Sequence, residues 1–471
     1  MDILNFISAN VILLPLIFGL FLLFCRIRLI LLNKKVLNYG LFALNLLNFF
    51  LCSILTFFVY FKNSVVDFEH KIFDFLNIEL IFGVCINKSN ASILLFASLI
   101  YFLISIYFLK FFKTKKQFLF TKQRFYILSS LLISLTYSFI VSNNLLLSLV
   151  IDTMISTVLF VFAYFDIFKT NANYNIIRYL RINYISDFCF FAAFLLFFKY
   201  AVLSLDFIQT TAIKYSELNE FLSYMMGISS NAEYKLAILF LLIAVFARIV
   251  VFPFSCYYSF LANSSSVFYL PVAICINNFL GIMLYLNIIQ MFAYFPKIKI
   301  VIYVFAGLTA LYSIISLFFE KNVKIIFGYL IALINSLFIV SVLFFKDAVY
   351  IYFGLLIVLF LILYKLFSIN KINFKRKLIN KNKGFYLEKA HIVVFETLPL
   401  KTAKVFLFLE KHVLGLVFSI IYKITNTIVD ILVIRHIKVT KINILKNIFF
   451  IFALFVILAI IIILFGGVDF G

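Results

Sequence analysis

The chain has 471 residues, of which 65% are hydrophobic, and its mean hydropathy is +1.15. This composition excludes an ordinary soluble domain and indicates a polytopic membrane protein. The formal net charge of +22 does not indicate nucleic-acid binding, because the basic residues occupy short loops between apolar runs. The cysteines and histidines are dispersed singly, which argues against iron–sulfur and zinc sites in this chain.

Apolar runs predict an all-α membrane protein with about 12 transmembrane helices, since about twenty apolar residues cross a bilayer. The runs cover residues 11–30, 38–61, 92–112, 125–142, 145–168, 183–204, 235–259, 265–294, 298–318, 323–345, 348–369 and 446–466. The strongly basic loops follow the first, third, fifth and eleventh runs. The positive-inside rule therefore predicts that both termini lie on the outer side and that the basic segment 370–384 lies inside.

The first polar residues within predicted spans lie in the fifth and sixth runs. Asp152 follows Asn143 and Asn144 by about two helical turns, and Asp187 follows Arg178. For Asp152 the sequence leaves open a role in ion movement and a structural role, bonded to Ser156 or to the asparagine pair. For Arg178 and Asp187 it favours a position near a basic membrane interface, with a structural role or a role in transport.

The stretch from Lys235 to Gly281 places Arg248 at the middle of a long apolar run, with Pro253 five residues later and Pro271 in the next run. A charge inside a span usually faces a wet or protein-lined interior, and proline breaks a helix there. The pattern predicts a broken helix near Pro253 with Arg248 at a functional site. The alternative is that Arg248 lies near a helix end and snorkels to the headgroups.

Two further sets of polar residues lie in later spans. Asn277 and Asn278 in the eighth run are able to hold water or to tie helices together. Lys324 begins the tenth run, where an inside-facing anchor is the ordinary interpretation.

On these residues the chain resembles the antiporter-like proton-channel subunits of respiratory complex I and the related Mrp-type antiporter subunits. Arg248 and Pro253 correspond to the lysine and proline of the family pattern G-K-S-A-Q-x-P, and Lys324 corresponds to a later lysine. Two positions depart from the family: Ala273 replaces a histidine, and Thr153 stands where the family has a glutamate. The resemblance is greatest to the subunit called L in bacteria and chain 5 in mitochondria, in a divergent and shortened form.

The resemblance implies a membrane-arm subunit of a proton-translocating NADH:quinone oxidoreductase, with no redox centre in this chain. NADH, FMN, iron–sulfur clusters and quinone would be held by partner subunits of complex I, in a mitochondrial inner membrane or a bacterial cytoplasmic membrane, with no nucleic acid involved. The proton path would include Asp152, Arg248, Asn277, Asn278 and Lys324. The residues that shape it would be Pro253, Pro271, Arg178 and Asp187. The alternatives are an Mrp-type cation/proton antiporter subunit and a structural remnant that no longer pumps.

The resemblance also implies a domain organisation. The segments are N-terminal transmembrane helices over 1–125, a first antiporter-like repeat over 125–294, a shortened second repeat over 295–369, a basic linker over 370–397, a lateral amphipathic helix over 398–440 and a transmembrane anchor over 441–471. For 398–440 the sequence alone leaves open a pair of amphipathic helices or one more span.

Overall fold

A computed structural model describes part of the chain up to residue 369. The described residues are 2–28, 34–62, 65–75, 78–112, 119–163, 170–203, 214–215, 233–255, 257–258, 269–289, 296–320, 323–344 and 348–369. The predicted linker, lateral helix and C-terminal anchor lie outside them, as does the twelfth apolar run.

Within the described residues the chain forms eleven helices and one two-stranded hairpin. The elements are α1 (Asp2–Ile27), α2 (Lys34–Phe61), β1 (Val66–Phe75), β2 (Ile78–Ile86), α3 (Lys88–Phe112), α4 (Leu119–Val141), α5 (Leu145–Ala163), α6 (Thr170–Leu203), α7 (Glu233–Ile249), α8 (Tyr269–Ile288), α9 (Pro296–Phe319), α10 (Val323–Phe344) and α11 (Ala348–Ile369). Each helix coincides with one of the first eleven predicted runs.

Eight of the described helices are long and apolar enough to cross a membrane, and two shorter apolar stretches lie at Val272–Ile288 and Ala348–Leu359. The chain is therefore a multi-pass membrane protein, as its composition predicts.

The hairpin of β1 and β2 is an element that the sequence analysis did not predict. The two strands pair antiparallel between α2 and α3. Polar and apolar residues alternate from Val66 to Glu69, the period of a strand with one covered face. The hairpin sits on the turn between α4 and α5: Val84 bridges to Ser142, and the Asn143 N–H donates to the Gly83 carbonyl at 3.0 Å.

The helices pack most extensively as the pairs α2–α3, α6–α7, α1–α4 and α9–α10. Helices α4, α5, α7 and α8 make the contacts that join these pairs at the centre. Apolar side chains of α1, α2 and α9 remain exposed, for example Phe21, Phe57 and Leu311. In a bilayer such side chains contact lipid tails, so exposure there carries no hydrophobic cost.

Helix α7 ends at Ile249, four residues before Pro253, in agreement with the predicted break. Val250 has a φ of 67°, a left-handed backbone that is strained for a β-branched residue by roughly 1–3 kcal/mol. A hydrogen bond of 2.7 Å from the Phe252 N–H to the Thr309 hydroxyl oxygen on α9 supports the non-helical segment. The break thus leaves the last turn of α7 in the protein interior.

Pro271, by contrast, does not interrupt a helix. Helix α8 begins at Tyr269, so Pro271 lies in its first turn. Proline is tolerated there because the first N–H groups of a helix have no intrahelical acceptor. Within the described residues, Pro271 therefore lies at the start of a helix, and its predicted role in shaping the path stays a prediction.

Candidate functional site

Arg248 is the centre of a buried polar cluster. It lies in the last turn of α7, where the helix dipole favours a positive charge. The residue is 1% exposed, and all of its charged and polar partners are other buried or nearly buried side chains. The alternative that Arg248 snorkels to the headgroups is therefore wrong.

Two aspartates from neighbouring helices pair with this arginine. Asp152 on α5 places Oδ1 2.8 Å from Arg248 Nη2, and Asp187 on α6 forms a second ion pair with the same nitrogen. Nη2 also donates to Ser156 Oγ at 2.8 Å. Asp152 and Ser156 thus meet at Arg248, one turn apart on α5.

The position of Asp187 differs from the sequence interpretation. Its side chain is 11% exposed and contacts buried Arg248, so it does not lie at a basic membrane interface. Arg178 lies earlier on the same helix, at a point where its side chain is outside the described residues. Asp187 therefore belongs to the centre of the site.

Asparagines and tyrosines complete the cluster around the guanidinium. Asn183 Oδ1 accepts from Arg248 Nη1 at 3.0 Å and also accepts from the Tyr257 hydroxyl. Asn277 Oδ1 lies 3.4 Å from the same Nη1. The Asn277 amide donates to the hydroxyl oxygens of Tyr179 and Tyr257, at 2.8 Å and 2.6 Å. These residues, with Arg248, Asp152, Asp187 and Ser156, are called the Arg248 group below.

Asn278 belongs to a second, adjacent set of residues. Its Oδ1 accepts from the Tyr258 hydroxyl at 2.5 Å and from Asn335 Nδ2 at 3.0 Å. Asn335 Nδ2 also donates to the Ile249 carbonyl at 2.6 Å, and Tyr352 donates to Asn335 Oδ1 at 2.6 Å. This Asn335 group, made of Asn278, Tyr258, Asn335 and Tyr352, caps the C-terminal end of α7.

The remaining predicted site residues are placed by their helices alone. Lys324 is the second residue of α10, and its side chain lies outside the described residues. Ala273, at the family's histidine position, is fully buried on α8. The structure therefore brings Asp152, Asp187, Arg248 and Asn277 together, and sets Asn278 in the neighbouring Asn335 group.

The sequence analysis missed Asn183, Tyr179, Tyr257, Tyr258 and Tyr352. A signal for two of them was present, because Tyr179, Asn183 and Asp187 are spaced four residues apart. That spacing puts them on one face of α6. The tyrosines of α11 and of the segment after the break gave no comparable signal, since their partners lie on distant helices.

Charge defines what the Arg248 group is able to do. One guanidinium faces two carboxyl groups that also interact with each other. If both carboxylates were ionised, the buried group would carry one excess negative charge, which is costly in a low-dielectric interior. A single proton shared by the two carboxyl groups removes that excess. The arginine itself stays protonated at any physiological pH.

No family profile matches the sequence, and no curated protein matches it. The fold does match solved structures. A chain of the membrane-bound sulfane sulfur reductase, an archaeal respiratory membrane complex, aligns with a TM-score of 0.61 and 14% identity, covering 76% of this chain and 69% of that one. A chain of the Mrp complex from Dietzia sp. DQ12-45-1b aligns with a TM-score of 0.56 and 14% identity, covering 77% of this chain.

The chain spans only 37% of the length of that Mrp chain. At this level of identity the similarity concerns the fold alone. It shows that the described helices have the arrangement found in chains of two membrane complexes.

Proposed function

We propose that this chain is an antiporter-like subunit of a larger membrane complex and that it conducts protons through the Arg248 group. The observation that carries the proposal is the buried arginine between Asp152 and Asp187 at the end of a broken helix. Charged groups at such breaks are a common way to build an ion site within a membrane. The fold similarity to chains of two membrane complexes supports membrane partner subunits.

The mechanism follows from the charge balance of the group. The carboxyl groups of Asp152 and Asp187 hold one proton between them, and Arg248 supplies a fixed positive charge. Because the guanidinium does not release its proton, the two carboxyl groups are the members of the Arg248 group that exchange the shared proton. Loss of the shared proton leaves both carboxylates facing a single arginine, so the empty site recaptures a proton readily.

The first candidate for the whole assembly is a complex I membrane arm, in which this chain acts as a relative of subunit L or chain 5. Partner subunits would then hold NADH, FMN, iron–sulfur clusters and quinone, and electron transfer would drive the proton movement. The resemblance at Arg248, Pro253 and Lys324 favours this candidate.

The second candidate is an Mrp-type cation/proton antiporter subunit. Similarity of the fold to a chain of an Mrp complex favours it equally. In that assembly the shared proton would exchange for a cation moving in the opposite direction, with no electron transfer.

The test uses the intact complex in reconstituted vesicles. Asp187→Asn and Asp152→Asn should each abolish proton flux, because Arg248 then balances the one remaining carboxylate and no excess negative charge draws a proton, while Arg248→Lys should retain flux. Ser186→Ala, beside Asp187 on the same helix, is the control for α6, since the Ser186 hydroxyl bonds only a backbone carbonyl of α7 in the described structure.

Two readouts separate the candidates. Flux that requires NADH and quinone supports the complex I assembly, whereas flux that requires an opposing sodium or potassium gradient supports the antiporter. Unchanged flux in both aspartate variants, with normal complex yield, would overturn the proposal and leave the structural remnant.

A further inference from the structure

A row of polar residues runs along one face of α5. Asn144, Ser148, Asp152 and Ser156 are spaced four residues apart, and their exposed fractions are 2%, 0%, 2% and 1%. Residues at this spacing lie on the same side of a helix, one turn above another. The deeper pair, Asp152 and Ser156, contacts Arg248. The other pair leads from that group toward the start of α5.

At the start of α5 the row meets the β1–β2 hairpin. The Asn143 side-chain amide donates to Glu69 Oε1 at 3.1 Å and to Asp67 Oδ1 at 3.4 Å. Lys214 forms an ion pair of 2.8 Å with Glu69. Both acidic residues are exposed. Among the described side chains, two carboxylates and one ammonium therefore stand where the polar row reaches the surface, an excess of one negative charge within this set.

Tyr215 joins this surface to the row. Its N–H donates to the Asn143 carbonyl at 3.0 Å, and its hydroxyl lies 2.6 Å from Ser148 Oγ. The hydroxyl also bonds the side chain of Asn287 and interacts electrostatically with Asp152. Tyr215 is partly exposed, whereas Ser148 is fully buried. Both hydroxyls are able to donate and to accept a hydrogen bond, so each is able to pass a proton on by reorienting.

We propose that this row is the route by which protons pass between the hairpin surface and Asp152. The proposal rests on the proposed function of the Arg248 group. Glu69 and Asp67 concentrate cations at the surface, and the Tyr215 and Ser148 hydroxyls carry the proton inward. Four residues, about 6 Å of helical rise, separate Ser148 from Asp152, a distance that one bridging water molecule covers. The basic loops place this hairpin on the outer side, so the route serves the outer half of the path.

The competing interpretation is that these polar groups only stabilise helix α5. Asn144 Oδ1 accepts from the Leu147 N–H at 2.7 Å and so caps the helix, and the Ser148 hydroxyl also lies 2.8 Å from the Leu145 carbonyl. On that interpretation water does not reach Ser148 and Tyr215 is a packing residue. The two interpretations differ in the chemistry of a thiol placed at Ser148.

The experiment measures the reaction of introduced cysteines with the small, permanently charged and membrane-impermeant reagent methanethiosulfonate ethyltrimethylammonium, added from the outer side. The Ser148→Cys variant is compared with Leu146→Cys, which lies about 3 Å nearer the start of α5 and on another face of the helix. Val65→Cys, exposed beside the hairpin, is the positive control. Peptide mass analysis separates these sites from the native cysteines. The reagent requires a thiolate, which forms only where water reaches the sulfur.

If the route exists, Ser148→Cys reacts more slowly than Val65→Cys but at least tenfold faster than Leu146→Cys. Adding Tyr215→Ala should raise the rate at Ser148→Cys by a further tenfold and leave Leu146→Cys unchanged. Equal rates at Ser148→Cys and Leu146→Cys, with and without Tyr215→Ala, would overturn the proposal.

Labelling needs no proton flux, so it separates this proposal from the proposed function. Labelling at Ser148→Cys in a complex that conducts no protons would support a water route and reject proton conduction. In a conducting complex, Tyr215→Phe and Ser148→Ala should each lower flux severalfold at unchanged complex yield. Normal flux in both variants would overturn the route while leaving the role of the carboxyl groups intact. A dependence of that flux on sodium at constant pH would show that the row passes a cation other than a proton, which also rejects the proposal.

Discussion

The Arg248 group and the Asn335 group lie side by side at the same helix break, and they differ in charge. The first joins an arginine to two carboxyl groups, whereas the second contains only amides and phenols. Amides do not titrate, and phenols titrate far above neutral pH. The Arg248 group is therefore able to hold a mobile proton, whereas the Asn335 group fixes the end of α7 that presents Arg248.

The largest expected effect comes from removing the positive charge. Arg248→Ala leaves Asp152 and Asp187 without their cation and should destabilise the protein by about 3–5 kcal/mol. Complex yield and thermal unfolding in detergent measure the loss. The double variant Arg248→Ala with Asp187→Asn should recover part of it, because one buried carboxylate is then neutral. If the losses of stability in the two single variants simply add in the double variant, the charge balance described for the Arg248 group is contradicted.

Alanine substitutions at two glycines test the difference between the Arg248 group and the Asn335 group, because each adds a Cβ that clashes with a neighbouring residue. A Cβ at Gly281 would lie 2.5 Å from Ile249 Cγ1 and 3.0 Å from the Ile249 backbone nitrogen, and one at Gly328 would lie 2.9 Å from Tyr258 Cβ. We expect Gly281→Ala and Gly328→Ala each to cost about 1–3 kcal/mol of stability. Only Gly281→Ala should also lower flux strongly, because its Cβ would meet Arg248 Cβ at 2.9 Å.

The control for both variants is Gly307→Ala on α9, where an added Cβ meets no atom within 4 Å. The midpoint temperature of its thermal unfolding should be unchanged or slightly raised, since alanine favours a helix more than glycine does. Equal flux in Gly281→Ala and Gly328→Ala would remove the distinction between the two groups.

A third prediction tests the structural role of the Asn335 group. Asn335→Leu removes the hydrogen bonds to Ile249 O and Asn278 and leaves the Tyr352 hydroxyl without its acceptor. The cost should be about 1–3 kcal/mol, the penalty for buried groups left without a partner. Proton flux per assembled complex should fall, but its pH profile should keep its shape. A shifted pH profile would assign a proton to the Asn335 group.

The smallest effect is expected at the β1–β2 hairpin. Partial burial and the neighbouring Glu69 raise the pKa of Asp67, against the opposing effect of Lys214. A carboxyl group with a raised folded pKa stabilises the fold most when protonated. Its contribution is therefore present below the unfolded pKa of about 3.9 and is lost as pH rises through the folded pKa. Asp67→Asn should flatten the pH dependence of thermal unfolding above about pH 4; an unchanged slope would contradict it.

Membrane helices and the break were predictable because they depend on local composition. Twenty apolar residues have few alternatives to a spanning helix, and Pro253 ends the helical hydrogen-bond pattern wherever the chain is placed. The hairpin was not predicted because only a short polar–apolar alternation marks it. Asp187 was assigned to an interface because Arg178 is near in sequence, whereas its contact is an arginine on another helix.

Residue types and their positions along the chain were thus sufficient to predict that the chain is a membrane protein, where its helices lie and that Arg248 belongs to a charged site. The consecutive pairs Asn277–Asn278 and Tyr257–Tyr258 show which contacts depend on the packing of distant helices. Neighbouring residues on a helix point about 100° apart, so one member of each pair contacts the Arg248 group and the other contacts the Asn335 group. The sequence contains both pairs, but the packing of α6, α10 and α11 around the break selects the partner of each residue.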